Sequence, residues 1–181
     1  MHIMLDIETL STDPHAVVLS IGAVAFSVQD GLAPIQFYGV ASLDDQSGRT
    51  INPDTVSWWM QQVRENPDAG DVFDGPREPV SSVIERLTQF ITRFLTPDGG
   101  VWANGPDFDC VILRTLYEEL GIKLPWRHSQ HRCVRTMKSL ARSLNMEVVV
   151  AENMCAHNAL ADAEYQARYI IALLRDFGVQ A

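Results

Sequence analysis

Three short stretches of this 181-residue chain carry side chains that could do chemistry together. In Asp6-Ile7-Glu8-Thr9 the two carboxylates stand two positions apart, so on an extended strand they leave the same face. Acids side by side on an inner strand are costly unless something positive neutralises them, and a divalent cation does so directly. All-oxygen ligation favours Mg2+ or Mn2+ over zinc. The plain alternative is a pair of solvated acids at a strand end, with Thr9 opening a turn. Asn104-Gly105-Pro106-Asp107-Phe108-Asp109 lies where a predicted strand hands over to a predicted helix. Sites gather at the carboxyl ends of strands in open α/β sheets, although an acid there also serves as a helix cap. Asp107 competes with Asp109 for either role, and Phe108 reads as the packing residue that aims its successor inward. His157-Asn158-Ala159-Leu160-Ala161-Asp162 opens the last predicted helix. The small residues between its two titratable groups, and Ala163 after them, let another backbone or a ligand come near. An imidazole beside acids is suited to take a proton from an attacking water near neutral pH; a lone histidine at a helix start is also commonly a cap or a surface residue. Each stretch alone has a bland explanation. Their joint occurrence, in this order, points to a catalytic site.

The elements that must position these residues follow from periodicity. Residues 2–9 alternate as a strand, with Ile3, Leu5 and Ile7 facing away from Asp6 and Glu8. Residues 17–28 read as a long β-branched strand, and 34–42 as a third, with Asp30-Gly31 as the hairpin turn between them. Pro53-Asp54 opens a helix over 55–63, 66–79 is expected to be loop, and 80–95 has apolar residues at helical spacing. A strand over 101–104, a helix over 108–120 ended by Gly121, a strand over 131–134 and helices over 136–144 and 158–177 complete the chain. Three strands first, then strands alternating with helices, predict an α/β fold: a mixed sheet with an antiparallel hairpin at one side, parallel strands at the other, and flanking helices.

Composition bounds the rest. A chain of this length is expected to form one domain, residues 1–181, with a full hydrophobic core. The longest apolar run is broken by Ser20 and Gly22, short of the ~20 residues of a membrane span, and no secretory signal is visible. Three cysteines (Cys110, Cys133, Cys155) form neither a CxxC pair nor an even set; a cytoplasmic location is expected. The net charge of −9 argues against broad adhesion to nucleic acid or membrane, yet is compatible with acids that hold cations. Arg127, Arg132, Arg135, Lys138 and Arg142 gather five of the fourteen basic residues with no acid between them.

Asp6-Ile7-Glu8-Thr9, Asn104 through Asp109, and His157 followed five residues on by Asp162 together resemble the three motifs of the DEDDh 3′–5′ exonucleases, in the DnaQ-like branch of the ribonuclease H-like fold. The resemblance covers nearly the whole chain. Thr55-Val56-Ser57-Trp58-Trp59-Met60-Gln61-Gln62, Asp6 to Leu10, and Leu19-Ser20-Ile21-Gly22-Ala23-Val24 resemble the phage DexA-type exonucleases and their bacterial relatives. Ala161 departs from the acid that relatives often carry there, a residue that is not a ligand in the family. The resemblance implies two ions, Mg2+ or Mn2+: Asp6, Glu8 and Asp162 hold one, Asp6 is shared with the second, and Asp109 completes the second site. His157 would be the general base. The implied activity is release of nucleoside 5′-monophosphates from single-stranded 3′ ends or short overhangs of RNA or DNA, with Thr9, Leu10 and Asn104 on the substrate and the backbone near Thr9 facing the terminal 3′ hydroxyl. A nucleic-acid-binding or assembly module without useful catalysis is the competing class, and a small-molecule phosphohydrolase a third.

Trp58 and Trp59 point about 100° apart on a helix, so both cannot face one core. One is expected to pack and the other to border the cleft and stack a base; core plus contact in a homodimer is the alternative. Arg135, Lys138 and Arg142 share a helix face. They either guide the phosphate backbone or form the solvated side of a helix whose Met137, Leu140, Ala141 and Leu144 are buried.

Overall fold

The computed structural model describes residues 1–151, 153, 155 and 157–179. In chain order the elements are β1 (His2–Thr9), β2 (Val18–Ser27), β3 (Gly31–Val40), α1 (Pro53–Glu65), a 3-10 helix (Pro67–Phe73), α2 (Val80–Phe94), β4 (Val101–Ala103), α3 (Asp109–Glu119), a short 3-10 turn (His128–Gln130), β5 (His131–Cys133), α4 (Val134–Ser143) and α5 (Ala159–Asp176). The strands form one sheet ordered β3-β2-β1-β4-β5. β1, β2 and β3 pair antiparallel, and β4 and β5 add in parallel beside β1. The mixed sheet is therefore the one expected, with β1 at its centre.

Strand parity divides the core. Ile3, Leu5 and Ile7 turn to one face and pack with Val83, Ile84 and Leu87 of α2 and Ile112, Leu113 and Leu116 of α3. Met4, Val24 and Phe26 turn to the other and meet Ala163, Ala167 and Ile170 of α5. Each fully buried branched side chain contributes about 1.5–3 kcal/mol, so this two-sided burial fixes the register of β1. A slip of one residue would drive Asp6 and Glu8 into the apolar layer. Gly22, opposite Asp6 in the β1–β2 ladder, lets the start of α5 lie against the sheet. A Cβ at that position would collide with the Ala159 carbonyl.

Three local expectations are corrected. β3 starts at Gly31, whose φ of 81° closes the hairpin, so the strand begins before Pro34. The segment 66–79 is not all loop: its 3-10 helix carries Ala69 and Val72 against Trp59. On α4, Leu140 and Leu144 are 44% and 54% exposed. The helix docks through Val134, Met137 and Ala141 instead, a stripe too narrow to reach the two leucines. No helix among the described residues is long and apolar enough to cross a membrane.

Candidate active site

The α5 face of β1 carries the first two carboxylates. Asp6 and Glu8 follow Met4 on this side, and Glu8 is 9% exposed. Asp109 is the first residue of α3 and only 3% exposed. It is turned inward by a tight loop in which the Gly105 carbonyl accepts the Phe108 amide at 2.8 Å. Phe108 packs against the main core, whereas Asp107 points outward and pairs with Arg135 at 2.9 Å. Of the two competing acids, Asp109 is the one inside.

The third motif is held by its own backbone. Asn158 caps α5, its side chain accepting the Leu160 and Ala161 amides at 3.1 Å. Asp162, in the first turn, accepts the His157 amide at 2.9 Å and the Asn153 side-chain amide at 2.6 Å. His157 has a φ of 68°, a left-handed conformation that is uncommon for a residue with a side chain and frequent where function holds it. Ligand atoms of Glu8, His157 and Asp162 lie within 4.8 Å of one another. With Asp6 and Asp109 they line one cavity of about 600 Å³.

Electrostatics in that cavity are one-sided. Burial, then the charges of Asp109, Glu8 and Asp162, push the Asp6 carboxyl well above the ordinary range, against a hydrogen bond from Gln166. Burial, then Asp162 and Asp109, raise Glu8 to about 8. Burial raises Asp109 to about 7 against neighbouring backbone groups and Arg135, and raises Asp162 as well. Four acids of one sign, crowded together and short of water, suit divalent cations with hard oxygen ligands.

Gln166 is a member of the site that motif reading missed. It sits one turn beyond Asp162 on α5, is 6% exposed, and donates from Nε2 to Asp6 Oδ1 at 2.8 Å. Its Oε1 has no partner among the described residues. The available signal was an amide at i+4 from Asp162 on a helix face otherwise made of alanine.

The aromatic pair is split. Trp59 is 2% exposed, and its indole N–H donates to the Thr9 carbonyl at 2.9 Å; Trp58 is 40% exposed. Both rings stand edge-on to His157, with centroids at 4.9 Å for Trp58 and 6.2 Å for Trp59. They wall a second cavity of about 550 Å³ with Thr9, Asn52 and Thr55. Ile7, Glu8, Thr12 and Phe108 line both cavities, so the two lie side by side. Asn104 borders the carboxylate cavity. Leu10 does not: it is buried with Trp59 and Val72 and lines a separate apolar groove, because the residue after the strand turns to the other side of the indole. Of the pair, Trp59 is therefore the packed ring and Trp58 the exposed one.

Residues 1–174 match the 3′-5′ exoribonuclease Rv2179c-like domain. The chain belongs to this family. Solved structures share its fold. The zinc-ion-bound E. coli exonuclease I–single-stranded DNA complex superposes with a TM-score of 0.72 at 15% identity, covering 97% of this chain and 40% of that one. E. coli exonuclease I with a dA16 oligonucleotide gives 0.71 at 14%, covering 96% and 40%. The nuclease domain of 3′hExo, a DEDDh family member bound to rAMP, gives 0.61 at 12%, covering 96% and 91%. The chain thus spans about two-fifths of the exonuclease I chains and nearly all of the 3′hExo domain. No curated protein matches it. The fold is the ribonuclease H-like exonuclease fold.

Proposed function

We propose that this domain is a metal-dependent 3′–5′ exonuclease that releases nucleoside 5′-monophosphates from single-stranded 3′ ends or short overhangs, RNA first among its substrates. The convergence of Glu8, Asp162 and His157 within 4.8 Å, in the cavity that also holds Asp6 and Asp109, carries the reading. Asp6, Glu8, Asp109 and Asp162 would hold two ions, Mg2+ or Mn2+. When bound, these supply charge stabilisation for the attacking and leaving oxygens of an in-line displacement at phosphorus. His157 takes the proton of the attacking water. Its backbone is tied to Asp162 and its ring is wedged by the two tryptophan edges, which limits the directions the imidazole can face.

The second cavity takes the terminal nucleoside, with Thr9 at its floor and Trp58 as the stacking surface. The Thr-Val-Ser-Trp-Trp run of α1 that builds this wall supports kinship with the DexA-type enzymes. Trp58→Ala should weaken binding of a short oligonucleotide by about 1–3 kcal/mol, read by fluorescence anisotropy. The deciding experiment incubates 3′-end-labelled RNA and DNA, single-stranded and with overhangs, with Mg2+ or Mn2+. Labelled mononucleotide is expected from the first cleavage; no metal-dependent release from any substrate would remove the proposal.

A further inference from the structure

Among the described residues lining the carboxylate cavity, one carries a fixed positive charge: Arg135, the second residue of α4. Its guanidinium is pinned at the rim. Nε donates to the Asn104 carbonyl at 3.3 Å and Nη2 to Asp107 at 2.9 Å, yet the side chain remains 58% exposed. It lies over Gly105, where any Cβ would collide with it. The missing side chain at Gly105 is thus what lets the guanidinium reach the cavity mouth, and its remaining N–H donors are open to a ligand. Arg135 also marks a direction. The aromatic cavity adjoins the carboxylate cavity at Ile7, Glu8, Thr12 and Phe108, whereas Arg135, Asn104 and Gly105 border the carboxylate cavity alone. Behind Arg135, Lys138 stands over the Tyr165 and Tyr169 rings at 5.6 and 5.2 Å, and Arg142 follows one turn on. On a chain with a net charge of −9, this is a local cationic track.

We propose that Arg135 is a phosphate clamp that grips the phosphodiester one nucleotide upstream of the scissile bond, with Lys138 and Arg142 carrying the strand beyond it. The clamp rests on the exonuclease reading: terminal nucleoside beside Trp58, scissile phosphate among the acids, next phosphate at the guanidinium. A planar fork suits two phosphate oxygens at once. Because the contact lies away from the reacting atoms, it is made alike in ground and transition states and its loss falls on KM rather than kcat.

The test compares three short RNAs in Mn2+: a dinucleotide whose only phosphate is the scissile one, the same dinucleotide with a 5′ phosphate, and a trinucleotide. The wild-type protein should favour the last two over the first by about ten- to a hundredfold in kcat/KM, as a charge-assisted phosphate contact allows. Arg135→Ala should bring that preference close to unity, and Arg135→Lys should keep part of it as a point charge without the fork. Gly105→Ala, which changes no charge but displaces the guanidinium, should lower it too. The preference is a ratio within one preparation, so a loss of folded protein cancels. A wild-type-sized preference in Arg135→Ala overturns the clamp, as does an equal loss on all three RNAs. Hydrolysis of none of them by the wild-type protein overturns the exonuclease reading itself and the clamp with it.

Discussion

The two ends of α3 bury polar side chains on opposite terms. At the Glu119 end, Arg49 has a side chain only 3% exposed and spreads its donors over the Ala16 carbonyl at 2.8 Å, Glu119 at 2.5 Å and Thr115 Oγ1 at 3.4 Å. His15 reaches the other Glu119 oxygen at 2.8 Å. Positive charge meets negative, and the carboxyl of Glu119 is held below its ordinary value by those partners. At the Asp109 end, four carboxylates face one another and every one is raised. A buried charge with a matched partner ties loops together. Buried charges of one sign destabilise the fold until something of the other sign arrives. The first arrangement serves the structure, the second a ligand.

The largest test of that contrast is Asp6→Asn. Asparagine keeps an oxygen that can accept from Gln166 and removes only the charge. Hydrolysis should fall by about 10³-fold or more, the effect of losing several kcal/mol of charge stabilisation at the reacting phosphate. At neutral pH the metal-free variant should nevertheless melt at a higher temperature than the wild-type protein, because asparagine sits among the acids without having to take up a proton. A variant that is both inactive and less stable than wild type would remove the acidic end from the comparison.

The same crowding sets a pH dependence. Glu8 titrates at about 8 and Asp109 at about 7 in the folded protein, above their ordinary values of 4.5 and 3.8. Between those limits the folded state retains protons that the unfolded chain has released, so raising the pH favours unfolding. This contribution to metal-free stability is fullest near the ordinary carboxylate range and is lost as pH climbs through about 7 and 8. Melting in EDTA should therefore drop from pH 5 to pH 9 by more in the wild-type protein than in Asp6→Asn, and Mn2+ should restore more at the alkaline end.

Arg49→Ala breaks the other end. It strands the Ala16 carbonyl and the half-exposed Glu119, and should cost about 2–3 kcal/mol by urea unfolding. Hydrolysis per folded molecule should hold, since nothing in this cluster lines the carboxylate cavity. A specific loss of turnover would mean that the two ends are coupled through α3.

How far each end could be read in advance follows from what held it. The acidic end was legible because parity on β1 aligns Asp6 with Glu8 and because a helix start places His157 and Asp162 together. Spacing along one element carries that information. The Arg49 clasp was not foreseen, since it joins loop, helix and strand end through contacts up to 70 positions apart along the chain. Leu140 and Leu144 misled for a related reason. Helical periodicity names an apolar face but not how wide a neighbour will cover it: Val134 and Met137 join the α5 cluster and Ala141 is buried, while the two leucines stay exposed. Asp107 and Asp109 stood equal in the sequence, and only the turn at Gly105 separates them.

The smallest expected effect probes the buried amide that partners Asp6. Gln166 fixes Asp6 Oδ1 from a buried position, so the second carboxylate oxygen and the charge remain available to a cation. Gln166→Leu keeps the bulk and the helix propensity but leaves Asp6 without that anchor. A group that orients a metal ligand is worth about ten- to a hundredfold in metal affinity, and a single hydrogen bond to a ligand already positioned by a central strand belongs at the lower limit. Mn2+ titration by calorimetry should show that weakening, while turnover at saturating Mn2+ recovers most of the wild-type rate. Gln166→Glu should behave differently: a further carboxylate against Asp6 raises the repulsion, so its metal-free form should melt below Gln166→Leu and gain more from Mn2+. If both variants bound Mn2+ as the wild-type protein does, the hydrogen bond to Asp6 would be packing alone. Asp6 would then be placed by β1 alone, while Asp162 keeps its own anchors in the His157 and Asn153 amides.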